Sequence, residues 1–595
     1  MTVRPSSDGN LTGSSHLGGA ARLQRSTVNI HAQALPSAVS RSAAIGGPPA
    51  PLTLAKRESD GWWRGAVIYQ IYPRSFADSN GDGVGDLRGI IEKLDYVADL
   101  GADIVWISPF YPSPMKDFGY DVSDYRAVDP LFGTIEDFDD LIARARTLGL
   151  KIMIDQVWSH TSDKHGWFAD SRRSRTSEKA DWYVWADPRP DGSPPNNWLS
   201  VFGGSAWTWD SRRRQYYLQH FLASQPQLNL HNEEVVEAVL ETARFWLDRG
   251  VDGFRLDAID FMFHDPALRD NPPRPLAAAN IPVRPFGMQQ HVHDMLQPQT
   301  MDFMARLRRL MRDYPGTITL GEVSSEDGAF QRCAAYTDAA EERLDMAYTL
   351  AMMKGPLSSQ RLRDVLMEIQ PAVEDGCVCW AFSNHDIVRA ITRWGGGQED
   401  PRLGRLLMAL LGLLPGIPCV YQGEELGLGE AKIAPEHMRD PYGISFYPAF
   451  IGRDGCRTPM PWTHGDQLGG FTSGSEAWLP MPAEHLPKAV DRQVSDAASL
   501  LNDYRRFLRW RRSEPAVLHG GMRVVTVPEP LFAIERILDS RRILAVFNLE
   551  SRPVSLLRSL LPQCRAIEAT RSDVEATPES LSFPPYAVFF GLIEG

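Results

Sequence analysis

The chain has 595 residues, with 62 Lys and Arg against 75 Asp and Glu, for a formal net charge of −13. That balance excludes nucleic acid and other polyanions as partners, and no apolar run reaches the roughly 18 residues of a membrane span. A composition of 43% hydrophobic and 23% charged residues is that of a globular protein long enough for several domains.

Residues 1–56 are rich in Ser, Ala, Gly and Pro without hydrophobic periodicity, and read as a disordered extension. No apolar segment of the length a signal peptide needs lies within them. The six cysteines (Cys333, Cys377, Cys379, Cys419, Cys456 and Cys564) make no CxxC pair, and point to a reduced, cytoplasmic life. The sixteen tryptophans suit a sugar-binding cleft or a large core alike.

The β-branched and aromatic run Ala66–Tyr72 predicts a first strand. Between it and the next element, Asp78, Asn80, Asp82, Val84 and Asp86 set oxygen donors at every second position, Val84 through its carbonyl, with Gly83 at the turn. The pattern is that of a hard-cation loop and predicts a structural Ca2+ or Mg2+ ion. Its twelfth position is Gly89 and not Glu, so an EF-hand is excluded. Leu87, Ile90, Ile91, Leu94 and Val97 then recur at helical spacing up to Gly101.

The strand Ile104–Ile107, a helix over 136–148 and the strand Lys151–Asp155 follow, strand alternating with helix as in a parallel sheet covered on both faces. From 161 to 229 the alternation stops in a stretch rich in Trp, Pro, Asn and Gly, which reads as an irregular insertion. It resumes with a helix over 234–249 and strands at 252–256, 317–321, 345–349, 378–383 and 418–422. Eight strands with intervening helices favour a closed (β/α)8 barrel over a doubly wound open sheet. After a helix over 497–511, short strands at 523–527, 531–536 and 543–548 predict an antiparallel β domain. The resulting division is 57–160 and 230–515 for the barrel, 161–229 for the insertion and 516–595 for the last domain.

Three barrel strands end in an acid: Asp257, Glu322 and Asp386, separated by 65 and 64 residues. In a barrel all three converge on the C-terminal face. Arg255 and Asp257 are two apart on one strand and face the same way, so the arginine is expected to keep the aspartate ionised. On its own, the pair is equally a strand-end ion pair. With the other two acids, Asp257 reads as the nucleophile of a retaining glycosidase. Glu322 reads as an acid/base of raised pKa, and Asp386 as support for the transition state.

The motifs Asp155–His160, Gln225–Asn229, Gly253–Asp257, Glu322 and Ser383–Asp386 resemble the α-amylase family of glycoside hydrolases, in its α-glucosidase and oligo-1,6-glucosidase branch. The resemblance runs from about Trp62 to the C-terminus and implies the same fold. It assigns the three acids as above and implies that His160 and His385 bind the sugar and that Tyr120 stacks on it. Asp117 and Arg453 would close the pocket, with Arg457 in the same motif, and Phe202 and Phe221 would form aromatic walls or pack in the core. Ser159, where the family has Asn, and Gln227, where it has Asp, depart from the pattern. Ala258, next to the nucleophile, matches members that favour α-1,4 over α-1,6 bonds. The resemblance thus implies an exo-acting enzyme on short α-1,4-linked glucosides or sucrose-like disaccharides, with transglucosylation. Sucrose isomerases carry a charged Arg-Leu-Asp-Arg-Asp signature after the third acid, where this chain has Ile387-Val-Arg-Ala-Ile. A non-enzymatic subunit on the same fold would lack the acids.

Overall fold

Eight parallel strands form one sheet at the centre of the molecule: β1 (Ile68–Ile71), β2 (Ile104–Ile107), β3 (Lys151–Gln156), β4 (Gly253–Leu256), β5 (Ile318–Val323), β6 (Met346–Thr349), β7 (Cys379–Ala381) and β8 (Ile417–Tyr421). The computed structural model describes residues 61–593 apart from 277–280, 326, 339 and 376, so the extension predicted for 1–56 lies outside the described residues. Neighbours pair in chain order from β1 to β6, and β8 pairs with both β1 and β7. A parallel bridge from Ala347 to Val378 joins β6 to β7, which closes the sheet into a barrel.

The strands are short apolar runs buried on both faces, and the helices cover them with one apolar face each. In α1 (Leu87–Leu100), Leu87, Ile90, Leu94 and Val97 are buried. Asp86 caps its N-terminus by accepting from the Gly89 amide, and Gly101 ends it in a left-handed conformation at φ 103°. A reciprocal capping box between Thr134 and Asp137 starts α2 (Ile135–Thr147). At Gly253 an added Cβ would lie 2.5 Å from the Ile318 carbonyl, so glycine is what allows β4 and β5 their close approach.

Within 161–229 a small antiparallel sheet forms from Trp185–Ala186, Gln215–Leu218 and Trp207–Asp210. After the helix Leu500–Arg512, a five-stranded antiparallel sheet contains Gly521–Val525, Leu531–Leu538 and Arg541–Asn548. Arg536 ties it to the barrel by donating to the Leu413 carbonyl at 2.8 Å. Five tryptophans (Trp106, Trp158, Trp198, Trp246 and Trp380) are fully buried in the interior. Among the described residues no helix is long and apolar enough to cross a membrane, and no disulfide links the cysteines.

Candidate active site

Asp257 follows β4 directly, and its amide donates to the Gln156 carbonyl of β3 at 2.9 Å. Glu322 lies near the end of β5, and Asp386 follows β7. All three acids line one cavity of about 1230 Å3, together with Asp117, Tyr120, His160, Phe202, Phe221, Ala258 and Arg453. The barrel therefore brings together carboxylates that are far apart in the chain. Among the described residues no tryptophan lines the cavity.

Arg255 lies beneath the acids, fully buried. Its Nη1 donates to Asp257 at 2.7 Å and to Asp155 at 2.6 Å, and its Nη2 donates to Glu322 at 2.6 Å and to the Tyr348 hydroxyl at 2.8 Å. From the sequence it is expected to keep Asp257 ionised. One guanidinium is shared by three carboxylates, and burial outweighs it. Desolvation pushes Asp257 up to about 7 against the pull of Arg255, and pushes Glu322 up to about 8. Both carboxylates therefore hold their protons to unusually high pH.

Asp386 has the opposite balance. Burial raises its pKa, but His385 (when protonated, at acid pH), Arg453 and Arg457 outweigh that and hold it well below the usual carboxylate range. Arg457 donates to it at 2.9 Å and Arg453 at 3.2 Å. Arg453 is also the arginine that meets Asp117, at 2.7 Å, while Arg457 turns to the His385 carbonyl. Asp440, which the sequence reading did not single out, accepts from Arg453 at 2.7 Å and fixes its direction.

The two histidines differ in position. His160 borders the cavity, with Nδ1 at 2.8 Å from the Ser159 hydroxyl and Nε2 at 3.0 Å from the Tyr120 carbonyl. His385 is not on the wall. It lies fully buried behind Tyr120, whose ring stacks on it at 5.3 Å and whose hydroxyl is 2.6 Å from its Nε2. Burial lowers the pKa of His160 to about 4 and that of His385 to about 3, so both are neutral at neutral pH. Gln227, the second departure, accepts from His220 Nδ1 at 3.0 Å through its Oε1 and donates to the Phe261 carbonyl at 2.7 Å through its Nε2, away from the acids.

Phe202 and Phe221 meet at 6.1 Å between centroids on the cavity wall, with the Arg453 guanidinium 5.4 Å from Phe202. Ala258 takes a left-handed φ of 41°, and its amide donates to Glu322 at 3.0 Å. Asp155, which the sequence reading quoted within a motif but gave no role, is a further acid of the site. It sits in an apolar strand, where a fully buried carboxylate must have a charged partner.

The loop before α1 winds through its own oxygens. Asp78 accepts from the amides of Asn80, Gly81 and Gly83, Asn80 from that of Asp82, and Asp82 from that of Val84, all within 3.0 Å. The donor set is all oxygen and suits a hard cation. Asp86 is already engaged by Ser79 and as the α1 cap, and among the described residues no three His, Cys, Asp or Glu side chains form a ready ion cage.

A parallel barrel with a buried Arg and a ring of acids at its C-terminal face defines a polar-substrate enzyme site, and comparison with known proteins gives its class. The catalytic-domain model of the alpha-amylase family matches residues 70–520. The chain belongs to that family and is a glycoside hydrolase. It is 49% identical over 537 residues to a probable alpha-glucosidase of Rhizobium meliloti (strain 1021), covering 89% of this chain and 96% of that one. It is 35% identical over 530 residues to an oligo-1,6-glucosidase of Heyndrickxia coagulans, covering 83% and 93%. The crystal structure of the alpha-glucosyl transfer enzyme XgtA superposes with a TM-score of 0.86 at 52% identity, covering 90% of this chain and 99% of XgtA.

Proposed function

We propose that the protein is a retaining, exo-acting α-glucosidase that removes the non-reducing-end glucosyl unit from short α-1,4-linked glucosides and also transfers it to other hydroxyls. The observation that carries this reading is Arg255 donating to Asp257 and Glu322 at once, which holds the two carboxylates together in one cavity.

The Asp257 carboxylate attacks the anomeric carbon while Glu322 donates its proton to the departing glycosidic oxygen. A covalent glucosyl ester forms and the leaving alcohol departs neutral. Glu322, now a carboxylate, takes a proton from water or another alcohol, whose oxygen displaces Asp257 and restores the α configuration. Asp386, kept ionised by its two arginines, supports positive charge on the sugar ring. Supporting the exo mode, Asp117 and Arg453 pair across one end of the cavity. The names of the relatives, a glucosidase and a glucosyl transfer enzyme, support both fates of the glucosyl unit.

We further propose that Asp78, Asn80, Asp82, the Val84 carbonyl and Asp86 hold a structural Ca2+ or Mg2+ ion, supported by the all-oxygen donor set. The absence of disulfides supports a reduced compartment, and the cytoplasm is the proposed location. Product analysis on maltose, isomaltose and sucrose, with wild type and Asp257→Asn, tests the reading. Maltose is expected to be the best of the three. Undiminished turnover by the variant, or isomaltose used as well as maltose, would overturn it.

A further inference from the structure

Gln70 is a fully buried polar residue in the apolar strand β1. It lies two residues after Ile68 and so faces the same side, where Ile68, Trp106, Leu320 and Tyr348 form a buried apolar cluster. A carboxamide in such surroundings is costly unless it finds a partner. Its partner is the ring of His385, with Gln70 Nε2 at 2.8 Å from His385 Nδ1. Its other side-chain contact, to the Ser108 hydroxyl at 3.4 Å, is again through Nε2, and Oε1 has no protein partner among the described residues. The reaction described above makes no use of Gln70.

The opposite edge of the ring decides which nitrogen carries its proton. Burial, aided by Arg457, Arg255 and Arg453, outweighs Asp386 and keeps His385 neutral, so the ring has one N–H. Nε2 faces two oxygens, the Asp386 carboxylate at 3.2 Å and the Tyr120 hydroxyl at 2.6 Å. An ionised carboxylate can only accept. The Tyr120 hydroxyl donates its own proton to Asp155 at 3.1 Å, and so accepts from its other neighbour. Both oxygens therefore require the proton on Nε2, which leaves Nδ1 with a lone pair that only a donor can meet. We propose that Gln70 is a positioning residue of the reaction: by donating to Nδ1 it holds the His385 proton on Nε2, where that proton fixes Asp386 and the Tyr120 hydroxyl. This inference rests on the proposed glucosidase chemistry. The same chain of hydrogen bonds continues from Tyr120 through Asp155 to Arg255, and from there to Asp257.

Two variants of similar size separate this role from simple packing, with kcat and KM measured on maltose from pH 5 to 10. Gln70→Met removes the donor. Its kcat is expected to fall about 10–100-fold, the range found where a partner that orients a metal-bound histidine is lost. KM moves less, because Asp386 acts on charge that develops in the transition state. In Gln70→Glu the outcome turns on one proton. While the new carboxyl and the imidazole together hold two protons, one lies between Glu and Nδ1 and the other on Nε2, as in wild type. When the pair loses a proton, the remaining N–H moves to Nδ1 to meet the carboxylate, and Nε2 is left bare toward Asp386. The ratio of Gln70→Glu to wild-type kcat/KM is therefore expected to be near one at pH 5 and to fall as pH rises, while the Gln70→Met ratio stays low and flat. Around the ring, Arg255, Arg453 and Arg457 hold their protons more firmly than an ordinary arginine, and burial keeps Tyr72 neutral. Asp155, behind Tyr120 and pushed up to about 6 by burial, is present in all three proteins and divides out of the ratios. A flat ratio for Gln70→Glu, or wild-type kinetics in Gln70→Met, would overturn the proposal. Neutron diffraction from deuterated wild-type crystals decides it even if neither variant folds: a deuteron on His385 Nε2 is expected, and one on Nδ1 would overturn it. Failure of the wild type to cleave maltose would sink the underlying glucosidase reading instead, so the two failures are distinguishable.

Discussion

Asp257 and Glu322 accept hydrogen bonds from the same guanidinium, at 2.7 Å from Nη1 and 2.6 Å from Nη2 of Arg255. The two carboxylates are therefore held in fixed relation by a rigid, planar group that cannot itself lose its proton. Asp155 and the Tyr348 hydroxyl complete the arrangement.

Removing that arginine leaves three buried carboxylates without their shared cation. Arg255→Met is expected to lose about 3–5 kcal/mol of stability, measured by denaturant unfolding at neutral pH, along with nearly all activity. A variant as stable as wild type would contradict the shared role.

The raised pKa values of the two acids predict a pH optimum displaced to the alkaline side. Asp257 must be ionised, so kcat/KM rises with pH through about 7, and Glu322 must be protonated, so it falls above about 8. Steady-state kinetics on maltose from pH 5 to 10 measures both limbs. A plateau extending to pH 10 would remove Glu322 from the acid role.

Ala258 has its Cβ at the cavity wall and its amide on Glu322. A larger side chain there fills space used by an α-1,4-linked leaving sugar. Ala258→Val is expected to raise the ratio of isomaltose to maltose kcat/KM by about tenfold, within the 1–3 kcal/mol that pocket shape commands. An unchanged ratio would place the discrimination elsewhere.

If the Asp78–Asp86 loop carries an ion, a chelator lowers the thermal midpoint and added Ca2+ restores it. Saturation at 100 times Kd corresponds to about 2.7 kcal/mol, a shift of several degrees by scanning calorimetry. Asp82→Ala should abolish the response. Identical melting with and without chelator would leave the loop as a wound turn and helix cap.

All eight barrel strands were legible because each is a continuous apolar run, and the observed ends lie within about two residues of the predicted ones. The acids at Asp257, Glu322 and Asp386 were legible for the same reason, since each interrupts or ends such a run. Other features depend on register across the barrel and leave no local trace. That Arg255 also serves Asp155 and Glu322 follows from β3 and β5 flanking β4. The choice between Arg453 and Arg457, four residues apart, was decided by Asp117 and Asp440, which approach only in the folded loop. His385 reads in sequence like a residue that touches sugar, and its burial behind Tyr120 depends on the packing of β1 and β7 against that ring.

The central claim is that Asp257 forms a covalent bond to the sugar. Incubation with 5-fluoro-α-D-glucosyl fluoride, which slows release of the intermediate, followed by proteolysis and peptide mass spectrometry, tests it directly. The account predicts one added fluoroglucosyl group on the peptide that contains Asp257, and none in Asp257→Asn. A label on a different carboxylate, or full catalysis with no label on any peptide, would contradict it.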